Sequence, residues 1–203
     1  DVYVGTAVQI VPYLERGLWK QVNWTTLATK RIQAKSVEGD SRALRFRSGL
    51  TGILYNKNAA PWVKDVKVMA DLLKPEYRGK FATTPFLAGY DVLLTKEKWG
   101  VDKRGYFTTK LAPQVLGLIG CDAQDRIAAG EIPALAFDCS GGAPNFVRFR
   151  DKNILDLQLV ADNMQERYTY MTVPAHAPNP NAAALLTVYL STPEGQEKII
   201  WDY

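Results

Sequence analysis

Short apolar runs of strand length alternate along the chain with amphipathic stretches of helix length, the rhythm of an α/β protein. Val2-Tyr3-Val4 predicts a strand, followed by Gly5-Thr6 and a helical pattern through Val11, Leu14 and Leu18. Pro12 removes a backbone donor inside that pattern, so a kink or a helix start is expected there. The stretch ALRFRSGLTGILY, residues 43–55, alternates as one or two strands broken at Ser48-Gly49. Val68 to Leu73 predicts a short helix closed by Lys74-Pro75. Gly79 to Thr83 predicts a strand entering the loop Thr84-Pro85-Phe86-Leu87-Ala88-Gly89.

A helix is expected from about Tyr90 to Gly100, with Asp91 in its first turn, where a negative charge meets the positive end of the helix dipole. Asp122 has the chemistry of an N-cap, and Asp125 three residues on supports a helix over 123–129. Pro133 to Phe137 reads as a buried strand, 138–142 as a polar loop, and Asn145 to Phe149 as another strand. Two helices close the chain. One starts at Asn179-Pro180, with Leu185, Leu186 and Tyr189 expected on its inner face; the other has Thr192 as cap and Pro193 at its first position.

The 203 residues suit one large domain or two small lobes. Hydrophobic residues make up 47% and charged residues 23%, which excludes a coiled coil, a collagen-like repeat and a disordered chain. No apolar run reaches the roughly 18 residues of a membrane-spanning helix. Net charge is +4, with one local excess at Lys30, Arg31, Lys35, Arg42, Arg45 and Arg47, interrupted by Glu38 and Asp40. Without a recognition motif, that excess reads as a solvated face, and no nucleic-acid partner is expected. Two cysteines and one histidine are too few for a zinc site built on Cys and His. The pair Cys121 and Cys139 fits either one disulfide or two buried thiols.

Four segments in order, GLTGILYNKN (49–58), DLLKPEYRGKFATTP (71–85), RIAAGEIPALAFD (126–138) and VPAHAPNPNAAALLTVYLSTPEGQEKI (173–199), cover about a third of the chain. Together they resemble the extracellular solute-binding proteins that deliver small solutes to ABC transporters, in the iron-, thiamine- and polyamine-type branch. The last segment is the most specific. The resemblance implies a two-lobed α/β fold of the type II periplasmic-binding kind, with residues 1–52 plus 160–203 forming an incomplete first lobe and residues 53–159 the second. It also implies a chain shorter than is usual in that family. The expected role is capture of a small organic solute or anion by a monomeric, periplasmic or extracellular protein that partners a membrane permease, with no enzymatic activity, catalytic set or cofactor.

In such folds a ligand settles where strands end and helices begin. That reasoning nominates Thr6, Ser48, Thr84, Ala88, Gly89, Tyr90, Asp91, Asp138, Cys139 and Ser140 as ligand-binding residues. Gly89 and Gly141 fit either a left-handed turn or a close ligand approach. His176, between two alanines in a proline-rich entry, reads as a surface or capping residue. Ferric-binding relatives present adjacent tyrosines after the strand matching 133–137. This chain has Phe137-Asp138-Cys139-Ser140-Gly141 instead, so no metal is expected.

A competing resemblance attaches to the same five residues, which look like the nucleophile segment of NlpC/P60 cysteine peptidases acting on cell-wall peptides. Cys139 would then be a thiolate completed by a downstream histidine, but the sole histidine, His176, sits in a proline-flanked loop rather than on the strand such an enzyme needs. Gly142-Ala143-Pro144-Asn145 opens a helix poorly, which counts against that alternative.

Overall fold

A computed structural model describes residues 1–28, 32–87, 89–95, 97–140 and 153–201. The expected strand at 145–149 lies outside them. Among the described residues the strands are β1 (Tyr3–Thr6), β2 (Val37–Glu38), β3 (Ala43–Thr51), β4 (Ile53–Asn56), β5 (Ala82–Thr83), β6 (Ala134–Ala136), β7 (Leu155–Gln158) and β8 (Gln165–Thr172). The helices are α1 (Ala7–Leu14), α2 (Trp24–Leu27), α3 (Gly100–Leu111), α4 (Gln124–Ala128), α5 (Pro180–Leu190) and α6 (Pro193–Trp201). The chain divides into two units, residues 1–48 with 167–203, and residues 49–166.

The first unit is built on a sheet of order β1-β8-β3-β2, in which β1 runs antiparallel to β8 and β2 to β3. Its main core gathers Trp24, Ile32, Leu44, Val173, Ala183, Ala184 and Val188. The large Trp24 indole, 1% exposed, requires small partners, and this decides how α5 faces. Ala183, Ala184, Thr187 and Val188 are buried, whereas Leu185, Leu186 and Tyr189 point outward, the reverse of the expected inner face. α1 differs too: it ends at Leu14 and buries Ile10, with Val11 exposed and Leu18 lying beyond Gly17 outside the helix. Pro12 sits inside α1. Thr192 caps α6 as expected, accepting from the Gly195 N–H at 3.2 Å.

The second unit is built on a sheet of order β5-β6-β4-β7, with β4 antiparallel to both β6 and β7 and β5 parallel to β6. Every residue of β4 is buried. Alternation sends Ile53 and Tyr55 into a cluster with Phe81, Tyr90, Phe107 and Phe137, and Leu54 into another with Ile127, Ile132, Leu135 and Leu155. Asn56, 5% exposed, saturates its amide: Nδ2 donates to the Ile127 and Ala128 carbonyls at 3.0 Å each, and Oδ1 accepts from the Asn58 and Ala59 N–H groups at 2.9 and 3.1 Å. One side chain thereby ties the end of β4 to α4.

The break after β3 falls at Gly52 rather than at Ser48-Gly49. A Cβ at Gly52 would lie 2.6 Å from the Gln158 carbonyl oxygen, so the strand changes course where only glycine fits. The expected helix from Tyr90 to Gly100 is instead a single 3-10 turn, Val92–Leu94, capped by Asp91. Gly100, with φ +68°, ends that region and opens α3. Residues 69–73 likewise form a 3-10 turn, the strand after Gly79 is reduced to Ala82–Thr83, and Ala123 rather than Asp122 is the cap residue of α4.

Replacing Asn56 by Leu takes the Asn56 partner from the Ala128 carbonyl and the Asn58 and Ala59 N–H groups, the Ile127 carbonyl keeping the Gly130 N–H, and is expected to cost about 2–4 kcal/mol, read from urea denaturation. A second expectation concerns alkaline pH. The Tyr55 phenol donates to Asp156 Oδ2 and the Tyr170 phenol to Glu38 Oε2; burial first, then the carboxylate, raises each from 10.0 to about 12. Above pH 10 the folded chain therefore holds protons that the unfolded chain has lost, so stability present below pH 10 falls between pH 10 and 12. Tyr55→Phe with Tyr170→Phe should flatten that decline in denaturation midpoints measured across the range.

Candidate functional site

Three short segments of the second unit run in the same direction. β5 pairs parallel with β6 through Ala82↔Leu135 and Thr83↔Ala136. On its other side β5 bonds to residues 116–119, the Thr83 N–H donating to the Gly117 carbonyl at 3.1 Å and the Ile119 N–H to the Thr83 carbonyl at 2.9 Å, with a parallel bridge at Leu118. Parallel neighbours end at the same edge of a sheet, so the residues that follow, Thr84, Cys121 and Asp138 to Ser140, emerge together. Cys121 and Cys139 form a disulfide with Cα atoms 5.3 Å apart. The Thr84 hydroxyl lies 3.9 and 3.7 Å from the two sulfurs and accepts from the Phe86 N–H at 3.2 Å.

The loop after β6 is held from within. Phe137 is fully buried with φ +58°, a conformation costing a non-glycine residue roughly 1–3 kcal/mol. Its ring stacks on Tyr90 at 3.8 Å between centroids and meets Phe107 edge-on at 6.1 Å. The Asp138 N–H donates to the Gly52 carbonyl at 2.9 Å, and its buried carboxylate accepts from Ser140 N–H at 3.1 Å and Ser140 Oγ at 2.7 Å. Tyr90 shares a 2.7 Å hydrogen bond with Thr83 Oγ1, and burial pushes its phenol up, so it stays neutral.

Of the nominated residues, Thr84, Gly89, Tyr90, Asp91, Asp138, Cys139 and Ser140 belong to this unit. Ala88 and Gly141 lie outside the described residues. Gly89, φ +79°, has Asn163, Phe137 and Thr51 within 2.9 Å of where a Cβ would stand. Asp91 Oδ1 accepts from the Val92 N–H. Thr6 and Ser48 belong to the first unit: Thr6 precedes α1 and donates to Gln9 Oε1 through its backbone N–H at 2.9 Å and its hydroxyl at 3.3 Å, while Ser48 is exposed in β3.

Four neighbours are not among the nominated ligand-binding residues. Cys121 enters through the disulfide, Thr83 through Tyr90, and Asn163 as a fully buried amide whose nitrogen and oxygen both lack a hydrogen-bond partner. Arg104 is the fourth. Its spacing from Thr108 and Leu111, four and seven residues on, marks one helical face and was the signal available. No group of three or more His, Cys, Asp or Glu side chains suited to a metal occurs among the described residues.

No protein-family model and no curated protein matches the chain. Solved structures do. Over 98% of its residues the chain superposes on the apo ferric ion-binding protein A of Pasteurella haemolytica, with TM-score 0.75, 17% identity and 66% of that chain covered. Over its whole length it matches the spermidine/putrescine ABC transporter substrate-binding protein PotD of Streptococcus pneumoniae, with TM-score 0.70, 15% identity and 67% of that chain covered. The periplasmic binding protein AgtB of A. tumefaciens R10, in complex with agropinic acid, gives TM-score 0.69, 14% identity, and coverage of 98% of this chain and 64% of that one. The chain thus has the type II periplasmic-binding fold and spans about two thirds of the length of these proteins.

Cys139→Ser opens a loop of 18 residues and is expected to cost about 2–4 kcal/mol. A thiol reductant should lower the melting midpoint of the parent chain and leave that of the doubly substituted Cys121→Ser, Cys139→Ser chain unmoved. Gly89→Ala is expected to lose about 1–3 kcal/mol in the same assay, from its positive φ and its crowded Cβ position.

Proposed function

We propose that the protein is the substrate-binding component of an ABC importer, which takes up a small organic solute or anion and hands it to a membrane permease. The two units serve as its two lobes. The observation that carries this reading is the convergence of three parallel segments on one loop cluster, in a fold shared with proteins whose names record binding of ferric ion, a polyamine or agropinic acid. The loops supply hydroxyls and backbone amides, donors suited to carboxylate or carbonyl oxygens. Bare ferric ion is disfavoured by chemistry: the loop after β6 offers Asp138, Cys139 and Ser140 but no phenolate among the described residues, and the Cys139 sulfur is bonded to Cys121.

The protein acts as a monomer in the periplasm or outside the cell, where a disulfide persists. No described helix is long and apolar enough to cross a membrane. The peptidase alternative requires a thiolate at Cys139, and a sulfur in a disulfide cannot supply one.

Isothermal titration against a panel of carboxylates, phosphonates, amines and ferric salts tests the proposal. Saturable binding of an organic solute is expected. Binding of ferric salts alone would overturn the ligand class, and turnover of a peptidoglycan stem peptide that vanishes in Cys139→Ala would overturn the role itself.

A further inference from the structure

Beside the loop cluster lies a pocket of about 240 Å³ whose lining, among the described residues, comes from positions between 83 and 118 of one unit. Phe86, Leu87, Leu111, Val115 and Leu118 form its apolar wall. Phe86, Leu87 and Leu118 are 56%, 63% and 64% exposed. Large apolar side chains left in water around one concavity mark a contact surface.

Its polar lining is unbalanced. Arg104 contributes a permanent cation with five donors, yet its Nε is buried without a hydrogen-bond partner, and the guanidinium joins none of the ion pairs among the described residues. The other cations of α3 are occupied: Lys103 lies 4.9 Å over the Trp99 ring and Lys110 5.7 Å over Tyr106. The Thr108 hydroxyl spends its proton on the Arg104 and Gly105 carbonyls. The Thr84 hydroxyl accepts from Phe86, and its proton faces only the disulfide sulfurs, which are weak acceptors. No acidic side chain lines the pocket among the described residues. One donor without an acceptor and one with only weak sulfur acceptors, set against a hydrocarbon wall, call for an anion that carries an apolar body.

We propose that this pocket binds a small organic carboxylate, its oxygens on Arg104 and Thr84 and its hydrocarbon part against Leu111, Val115 and Leu118. The volume is below the roughly 300–1,000 Å³ of pockets for drug-sized ligands, which limits the guest to a short chain or small ring. Inorganic phosphate would leave the wall wet, and an alkylammonium would face the guanidinium. The inference deepens the solute-capture reading and rests on it, because Thr84 and Tyr90 belong to both pocket and loop cluster.

The test is an amide NMR titration of the intact chain with hexanoate. Saturable shifts are expected at Arg104, Thr108 and Leu118. Arg104→Gln should weaken binding about 10- to 100-fold, the worth of a charged hydrogen bond. Leu118→Trp, at an exposed rim position, should block entry by a comparable factor without touching the cation. Arg78→Gln removes a cation from a separate groove lined by Leu73, Tyr106 and Gln114, and should leave affinity unchanged. Hexylamine and inorganic phosphate should bind at least about tenfold more weakly than hexanoate. The proposal is overturned if hexanoate produces no saturable shift at these residues, if hexylamine binds equally well, or if Arg78→Gln weakens binding as much as Arg104→Gln. A panel solute that shifts Cys139 and Ser140 but not Arg104 overturns the pocket assignment while leaving solute capture in place.

Discussion

Parallel pairing of three very short segments is the constraint on which the loop cluster depends. β5 contributes two residues and β6 three, yet their shared direction obliges the chain to leave both at the same edge, beside the end of 116–119. An antiparallel arrangement would have sent one of these loops to the opposite edge. The Cys121–Cys139 disulfide then joins two of the three exits, and Thr84 at the third meets both sulfurs. Few hydrogen bonds hold segments this short, so the covalent link supplies order that the ladder cannot.

The packing beneath the cluster is close and locally strained. Phe137 occupies a left-handed conformation that its side chain disfavours, and the Tyr90 and Phe107 rings hold it there. Gly89 and Gly52 sit where any Cβ would collide with a neighbour. Strain of this kind persists only where the surroundings over-determine the conformation, and here it lies directly beneath the loops proposed to meet solute. Asn163, buried beside Gly89 with an unmatched amide, belongs to the same crowded layer.

Fold and ligand are separate matters in this architecture. The three solved proteins described here share the fold at 14–17% identity, and their names record ferric ion, polyamine and agropinic acid binding. Specificity must therefore reside in side chains carried by the loops and by the helices that flank them. In this chain the side chains proposed for that role are hydroxyls, a disulfide and one arginine with no anionic partner among the described residues, a set unlike a row of phenolates.

The sequence by itself determined the α/β class, the buried strands around residues 53–56 and 134–136, the Thr192 cap and the strand-end loops at 84–91 and 138–140, because alternation, capping chemistry and turn residues are local signals. It misjudged the outward face of α5, the helix expected after Tyr90 and the break at Gly52. The first and last turn on a distant partner, Trp24 selecting small residues and the Gln158 carbonyl, while after Tyr90 a run of local turns ending at Gly100 replaces the helix. Only tertiary structure could decide that Cys121 and Cys139 are bonded rather than free, bring Thr84 beside both sulfurs and leave Arg104 unmatched against an apolar wall, since these relations join residues far apart in the chain through a sheet whose strands are too short to announce their neighbours.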